Sequence, residues 1–229
     1  MPSRTNAFVT QTLAIPPYIS VSLGNLRNLK IKLMTSSTLT HPTLATAVWS
    51  EPNQALRNVL LAVAGSLALW VSAKVQIPFF PVPITLQTLV VLLIGMAYGW
   101  KLGAATVGLY LVQGAVGLPV FAGTPEKGIG LAYMMGPTGG FLVGFVLAAA
   151  VVGYLAQRGW DRNTGTTALA MLIGNATIYV PGLLWLGMVV GWDKPVLQWG
   201  MTPFLLGDLA KLLIAAVLMP AVWKLLSKR

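Results

Sequence analysis

The sequence predicts an all-α integral membrane protein with six transmembrane helices and both termini cytoplasmic. Three observations lead there. Charged residues make up only 9% of the 229 residues and apolar ones 56%, whereas an ordinary soluble domain carries about 25% charged residues to wet its surface. The mean hydropathy is +0.76. From Val59 onward, apolar stretches follow one another, separated by short polar or glycine- and proline-rich connections. So few charges cannot cover a globule, and most of the surface must face lipid.

The first element is a leader. Residues 1 to 50 hold four bases (Arg4, Arg27, Lys30, Lys32), no acid and fourteen Ser or Thr. Such a composition buries no core and is expected to be disordered over residues 1–56. Its Ser/Thr-rich, acid-free character matches an organelle transit peptide, and a true start at Met34 explains it equally well. The chemistry is expected in the transmembrane domain, residues 57–229.

The six spans are Val59–Ile77, Ile84–Tyr98, Leu102–Val116, Thr138–Gln157, Thr167–Val190 and Pro203–Leu226. About 20 residues cross roughly 30 Å of hydrocarbon, so the second and third are short. Only Gly99 to Lys101 separate them, which predicts a tight turn and an antiparallel hairpin. Gly95, Gly99 and Gly103 recur four apart, as do Gly136, Gly140 and Gly144. Small residues at that spacing let helices approach backbone to backbone.

Flanking bases orient the bundle. With a cytoplasmic N-terminus, Arg57, Lys101, Arg158, Arg162, Lys224, Lys228 and Arg229 fall inside, and Lys74, Lys127 and Lys194 outside. Seven against three obeys the positive-inside rule. The bases are dispersed singly and form no stripe, so the formal charge of +10 reads as topology and excludes nucleic acid as a partner. Trp192 and Trp199 flank the fifth-to-sixth connection, where an aromatic belt belongs.

Catalytic material is scarce. There is no cysteine and one histidine, His41, outside the apolar region. No phosphate-binding loop or HExxH motif is present. The chain reads as a non-enzyme, without metal or cofactor. One ionisable pair lies within a span: Asp208 and Lys211, three apart and therefore on one helix face. A lone charge at the bilayer centre costs at least about 2.5–3.5 kcal/mol, so such residues usually face a cavity or a partner. The pair is either self-neutralising structure or the floor of a site. Two further segments fall on the same side of the membrane. Pro81-Val-Pro-Ile-Thr-Leu-Gln-Thr88 opens the second span with Thr85, Gln87 and Thr88 in its first turns. The glycine-broken connection from Gly117 to Gly140 includes Thr138, and irregular backbone at membrane depth is tolerated where it lines a cavity. Asn175 and Tyr179 share a face of the fifth span. Each alone is often just interhelical hydrogen bonding; together with Asp208 they outline a pocket.

Pro81-Val-Pro-Ile-Thr-Leu-Gln87, Gly117-Leu-Pro-Val-Phe-Ala122, Gly136-Pro-Thr-Gly-Gly-Phe141 and Pro203-Phe-Leu-Leu-Gly-Asp-Leu-Ala-Lys211, in that order, resemble the BioY family. These are the biotin-binding S components of energy-coupling-factor (ECF) vitamin transporters. The resemblance covers about residues 57 to 226. It implies high-affinity capture of biotin from outside and delivery across the membrane, with a transmembrane coupling protein and two ATPase subunits as partners; some members work alone. It places ureido recognition on Asp208 and Lys211, loop contacts around Phe121 to Thr124, and coupling-protein docking on Ala64 and Ala68. Phe121 and Tyr179 would supply apolar walls for the thiophane ring and valeryl chain. The alternative is an S component or small transporter for a different vitamin or heterocycle. The expected location is a bacterial plasma membrane, or an organelle envelope if the leader is a transit peptide.

Overall fold

The computed structural model describes residues 41–49 and 52–228; the rest of the expected leader, including Met34, lies outside the described residues. His41–Trp49, expected within that leader, is instead folded. Leu44–Val48 form a short helix, α1, capped by the Thr43 side chain, with Leu44 and Ala45 buried. A capping threonine before two apolar residues suffices for one turn that has a surface to bury. The His41 N–H donates to the Gln157 carbonyl at 2.7 Å, which fixes this turn to the bundle.

The long helices are α2 (Gln54–Lys74), α3 (Gln87–Ala115), α5 (Gly139–Ala156), α6 (Thr164–Val190) and α8 (Leu205–Leu226); α4 (Gly130–Met134) and α7 (Val196–Gly200) are single turns. Among the described residues, five helical stretches are long and apolar enough to cross a membrane, the last running from Val196 through α8. Their outward faces carry large apolar side chains such as Val63, Val143, Leu172, Val180, Leu206 and Val217. The chain is an integral membrane protein.

The longest of these, α3, is interrupted. Gly99 has φ +80° and ψ 172°, a left-handed value that a side chain would resist. The chain reverses there: a Cβ on Gly103 would lie 3.0 Å from Gly95 Cα, a contact impossible along one continuous helix, which rises 1.5 Å per residue. Other small residues serve the same close approach. A Cβ on Gly153 would meet Trp100 N at 2.5 Å, and one on Gly144 would meet the Ile178 carbonyl oxygen at 2.8 Å. Gly136 differs, since its nearest neighbour is Tyr133 of its own turn. Packing on these surfaces places α5 between α3 and α6 as the most buried long helix, with α2 the least buried.

The ends differ from expectation where polar backbone intervenes. Ile77 and Ile84, expected at span termini, pair instead in a two-stranded antiparallel ribbon of β1 (Gln76–Ile77) and β2 (Ile84–Thr85), with Gln76 opposite Thr85. The prolines at 78, 81 and 83 lack the N–H groups that a helix there would need. At the opposite end of the bundle lie α1, the Gly99 turn, the end of α5, the turn Trp160–Arg162 and the end of α8. Trp223 Nε1 donates to Asp161 there, and Arg162 reaches the Pro42 carbonyl.

Candidate functional site

The β1–β2 ribbon folds Pro81-Val82-Pro83 back over the bundle, and Thr85 Oγ1 accepts from the Gln87 N–H at 3.2 Å as α3 begins. The first turn of α3 therefore carries Gln87 and Thr88 inward. Gln87 is only 3% exposed, and its Nε2 has no hydrogen-bond partner among the described residues. A buried amide without a partner is costly, and this one lies on the wall of a recess.

The recess holds about 610 Å³ of free space, part of it open to solvent. Residues from four long helices and three connections enclose it. Val82 and Pro83 close one side and Ala122 and Tyr133 another; Phe141, Leu142 and Phe145 of α5, Ile178 of α6 and Phe204 form the apolar body. Phe141 and Tyr179 meet edge to face at 6.5 Å, a favoured aromatic arrangement.

The polar groups gather at one end. Lys211 Nζ lies 3.1 Å from Asp208 Oδ1 and donates to Thr88 Oγ1 at 2.8 Å. Thr88 Oγ1 in turn approaches Asp208 Oδ1 at 3.5 Å, and the Tyr179 hydroxyl donates to Asp208 Oδ2. Asp208 is 6% exposed and Asn175 8%. Asp208 stands in the first turn of α8, which begins at Leu205, where both α3 and α6 reach it. Carboxylate acceptors, an ammonium donor and neutral amides within one apolar recess suit a compact group that offers N–H donors beside a carbonyl.

Of the residues expected at the site, the recess brings together Asp208, Lys211, Gln87, Asn175, Tyr179 and Thr138. It does not include Phe121 or Thr124. Phe121 is 1% exposed and lies behind the wall, stacked on Tyr133 at 4.9 Å and edge-on to Tyr110 at 5.5 Å. A ring of that size finds its apolar partners in the core, so the small Ala122 is left to face the recess. Thr124 turns the other way, donating to the Phe121 carbonyl at 2.7 Å and accepting from Lys74 at 3.0 Å. Ala64 and Ala68 are both exposed on α2.

Sequence reasoning passed over Tyr133. Its hydroxyl donates to the Ala122 carbonyl at 2.8 Å while its ring lines the recess. Burial pushes its phenol above the ordinary value, opposed by a hydrogen bond with Thr138, and so keeps it a donor. A lone tyrosine in a glycine-rich connection was the available signal.

The BioY family pattern matches residues 38–228. The biotin transporter BioY of Thermotoga maritima is 36% identical over 167 residues, covering 71% of this chain and 94% of that protein. The biotin transporter BioY of Rhodobacter capsulatus is 38% identical over 178 residues, covering 70% and 90%. Among solved structures, the S-component for biotin from an ECF-type ABC transporter superposes with a TM-score of 0.63 at 24% identity, covering 76% of this chain and 94% of that one. That likeness is one of fold.

Proposed function

The chain belongs to the BioY family, and from that premise we propose that it captures biotin and delivers it across a membrane as the S component of an ECF-type transporter. The observation that carries this reading is the polar cluster of Asp208, Lys211, Thr88, Asn175 and Tyr179 at one end of an otherwise apolar recess. Biotin is divided in the same way. Its ureido ring offers two N–H donors and one carbonyl acceptor, and its thiophane and valeryl chain are apolar. Asp208 accepts the donors and Lys211 serves the carbonyl; charge-assisted bonds of this kind are about twice as strong as neutral ones. The unpartnered Gln87 amide and the Thr138 hydroxyl supply further polar contacts, and Phe141, Phe145 and Tyr179 clasp the apolar part.

Counting α3 as two antiparallel spans joined at Gly99 gives six. Positive-inside placement then puts both termini, with Arg57, Lys101, Arg158, Arg162, Lys224 and Lys228, on the cytoplasmic side, and the recess at the outer side. The exposed Ala64 and Ala68 on α2 are the proposed docking stripe for a transmembrane coupling protein, itself driven by two ATPase subunits. The bacterial plasma membrane is the proposed location.

Equilibrium binding of biotin to the detergent-purified protein, with desthiobiotin, riboflavin and thiamine as competitors, tests the reading. Tight saturable binding displaced by desthiobiotin alone is expected. Displacement by riboflavin or thiamine would redirect the site to another vitamin, and no binding by a monodisperse, folded sample would overturn the assignment.

A further inference from the structure

We propose that Lys74 is a positioning residue for the pocket: its ammonium ties the end of α2 to the Phe121–Thr124 wall and so sets how long a bound ligand stays. This rests on the biotin-capture reading. Five consecutive carbonyls, from Val120 to Thr124, each have a donor. Tyr110 serves Val120 at 2.9 Å and Tyr133 serves Ala122 at 2.8 Å. The Lys127 N–H serves Gly123 at 2.9 Å. Lys74 Nζ serves both Phe121 and Thr124, each at 3.1 Å, and also donates to Thr124 Oγ1 at 3.0 Å. All three ammonium protons are therefore committed to one short segment 47 to 50 residues away in the chain.

The ties from Tyr110, Tyr133 and Lys74 are unequal. Tyr110 and Tyr133 are buried, so releasing either would strand a hydroxyl and a carbonyl in the core, which is costly. Lys74 is exposed. When it lets go, its ammonium regains water and the Phe121 carbonyl keeps the Thr124 hydroxyl as a donor at 2.7 Å, so its hold is released more cheaply than the tyrosines' holds. It is also the tie that reaches α2; the tyrosines come from α3 and α4. What it holds bears on the ligand directly. Phe121 supports the ring of Tyr133, and Ala122 and Tyr133 both line the recess. With the ammonium in place this wall is fixed against α2; without it, the edge from Phe121 to Thr124 keeps the Tyr133 bond to Ala122 and the ring contacts of Phe121 but loses its link to α2. A loosened wall acts on departure more than on encounter, and interface changes generally fall on the dissociation rate.

The test combines biotin dissociation and association rates, hydrogen exchange of the 120–128 amides in the ligand-free protein, and Tm, for wild type, Lys74→Met, Lys74→Arg and Thr124→Val. For Lys74→Met the expected result is about tenfold faster dissociation with association within about twofold, faster exchange at Ala122 to Thr124, and an unchanged Tm. Lys74→Arg, which keeps charge and donors, recovers most of the loss, and Thr124→Val shows a smaller rise in dissociation. Unchanged dissociation and exchange in Lys74→Met overturn the proposal. If Lys74→Met unfolds, Thr124→Val decides by the same two rates. If the wild type binds no biotin, the capture reading fails by itself, and exchange in the ligand-free protein decides the tie: faster in Lys74→Met sustains it, unchanged overturns it.

Discussion

Asp208 and Lys211 admit two roles, a self-neutralising pair or a ligand floor, and the two predict different behaviour on removing one partner or both. Their side chains are 9% and 12% exposed and lie 3.1 Å apart. Breaking such a buried pair from one side leaves an uncompensated charge and costs about 3–5 kcal/mol, whereas replacing both partners by neutral groups is often close to neutral. At about 2–4 °C per kcal/mol for a chain of this size, Asp208→Asn or Lys211→Met should each lower Tm by roughly 6–20 °C. The double variant should regain most of that. Ligand affinity should follow another course. Asn retains one neutral acceptor, so the loss on Asp208→Asn is near one charge-assisted bond, about 2 kcal/mol, or roughly 30-fold in Kd. That loss persists in the double variant, because the ligand needs the groups that the bare fold does not. The assay is thermal unfolding beside biotin titration on the same four detergent-purified samples. A double variant that regains affinity together with Tm would refute the ligand role and leave a structural pair.

Gly153→Ala should destabilise by about 1–3 kcal/mol, the range for overpacking a filled site, because its methyl would stand 2.5 Å from backbone at Trp100; Tm measures it. Phe121→Ala should cost about 3–5 kcal/mol in stability yet weaken biotin less than Asp208→Asn, since the ring supports Tyr133 from behind; Kd corrected for folded fraction decides. Asp161, 1% exposed with one oxygen unpartnered and the other accepting from Trp223, has its carboxyl raised chiefly by burial, against the opposing pull of Trp223, Arg162 and His41. The folded state therefore binds the extra proton, and stability falls as pH rises from the ordinary carboxylate value through the raised one. Asp161→Asn should remove that slope, read as Tm against pH from 4 upward.

Much of this architecture was legible because hydropathy and glycine spacing report local physics. The expected spans Thr138–Gln157 and Thr167–Val190 differ from α5 and α6 by at most three residues at either end, since apolar length alone sets them. The Gly99 turn was legible too, two short spans with three residues between them leaving no other geometry. The β1–β2 ribbon was not. Two-residue strands have no periodicity, and Ile77 and Ile84 carry the same hydropathy in a ribbon as in a helix. Asp208, Lys211, Asn175 and Tyr179, which the recess brings together, were legible because polar groups are expensive within a span. Phe121 and Thr124 lie outside the recess, and this was not legible, because a connection's sequence does not say which side of its backbone faces it. That depends on Tyr110, Tyr133 and Lys74, which capture its carbonyls from 10, 11 and 47 to 50 residues away.

The placement of the polar cluster also bears on how α8 is held. Its buried residues are Asp208, then Ala215, Ala216, Met219 and Pro220; near the recess, Leu205, Leu206 and Leu209 all face outward. Small-residue packing therefore secures the far half of α8, while the near half relies on Phe204 and on the polar links from Asp208 and Lys211 to Tyr179 and Thr88. Asn175, Tyr179 and Asp208 line the recess on one face and, with Leu172, Val180, Leu205 and Leu209, an apolar groove on the other. The α6–α8 seam is thus one side chain thick where these polar groups lie. A molecule that bonds Asp208 and Lys211 while resting on Phe141 and Phe145 bridges α8 to α5 across the recess, beside that seam. Binding to the folded state alone stabilises by RT ln(1 + [L]/Kd), about 2.7 kcal/mol at a hundredfold excess over Kd. That free energy is applied where apolar packing holds α8 least, so occupancy should protect the amides at its start more than those beyond Ala215.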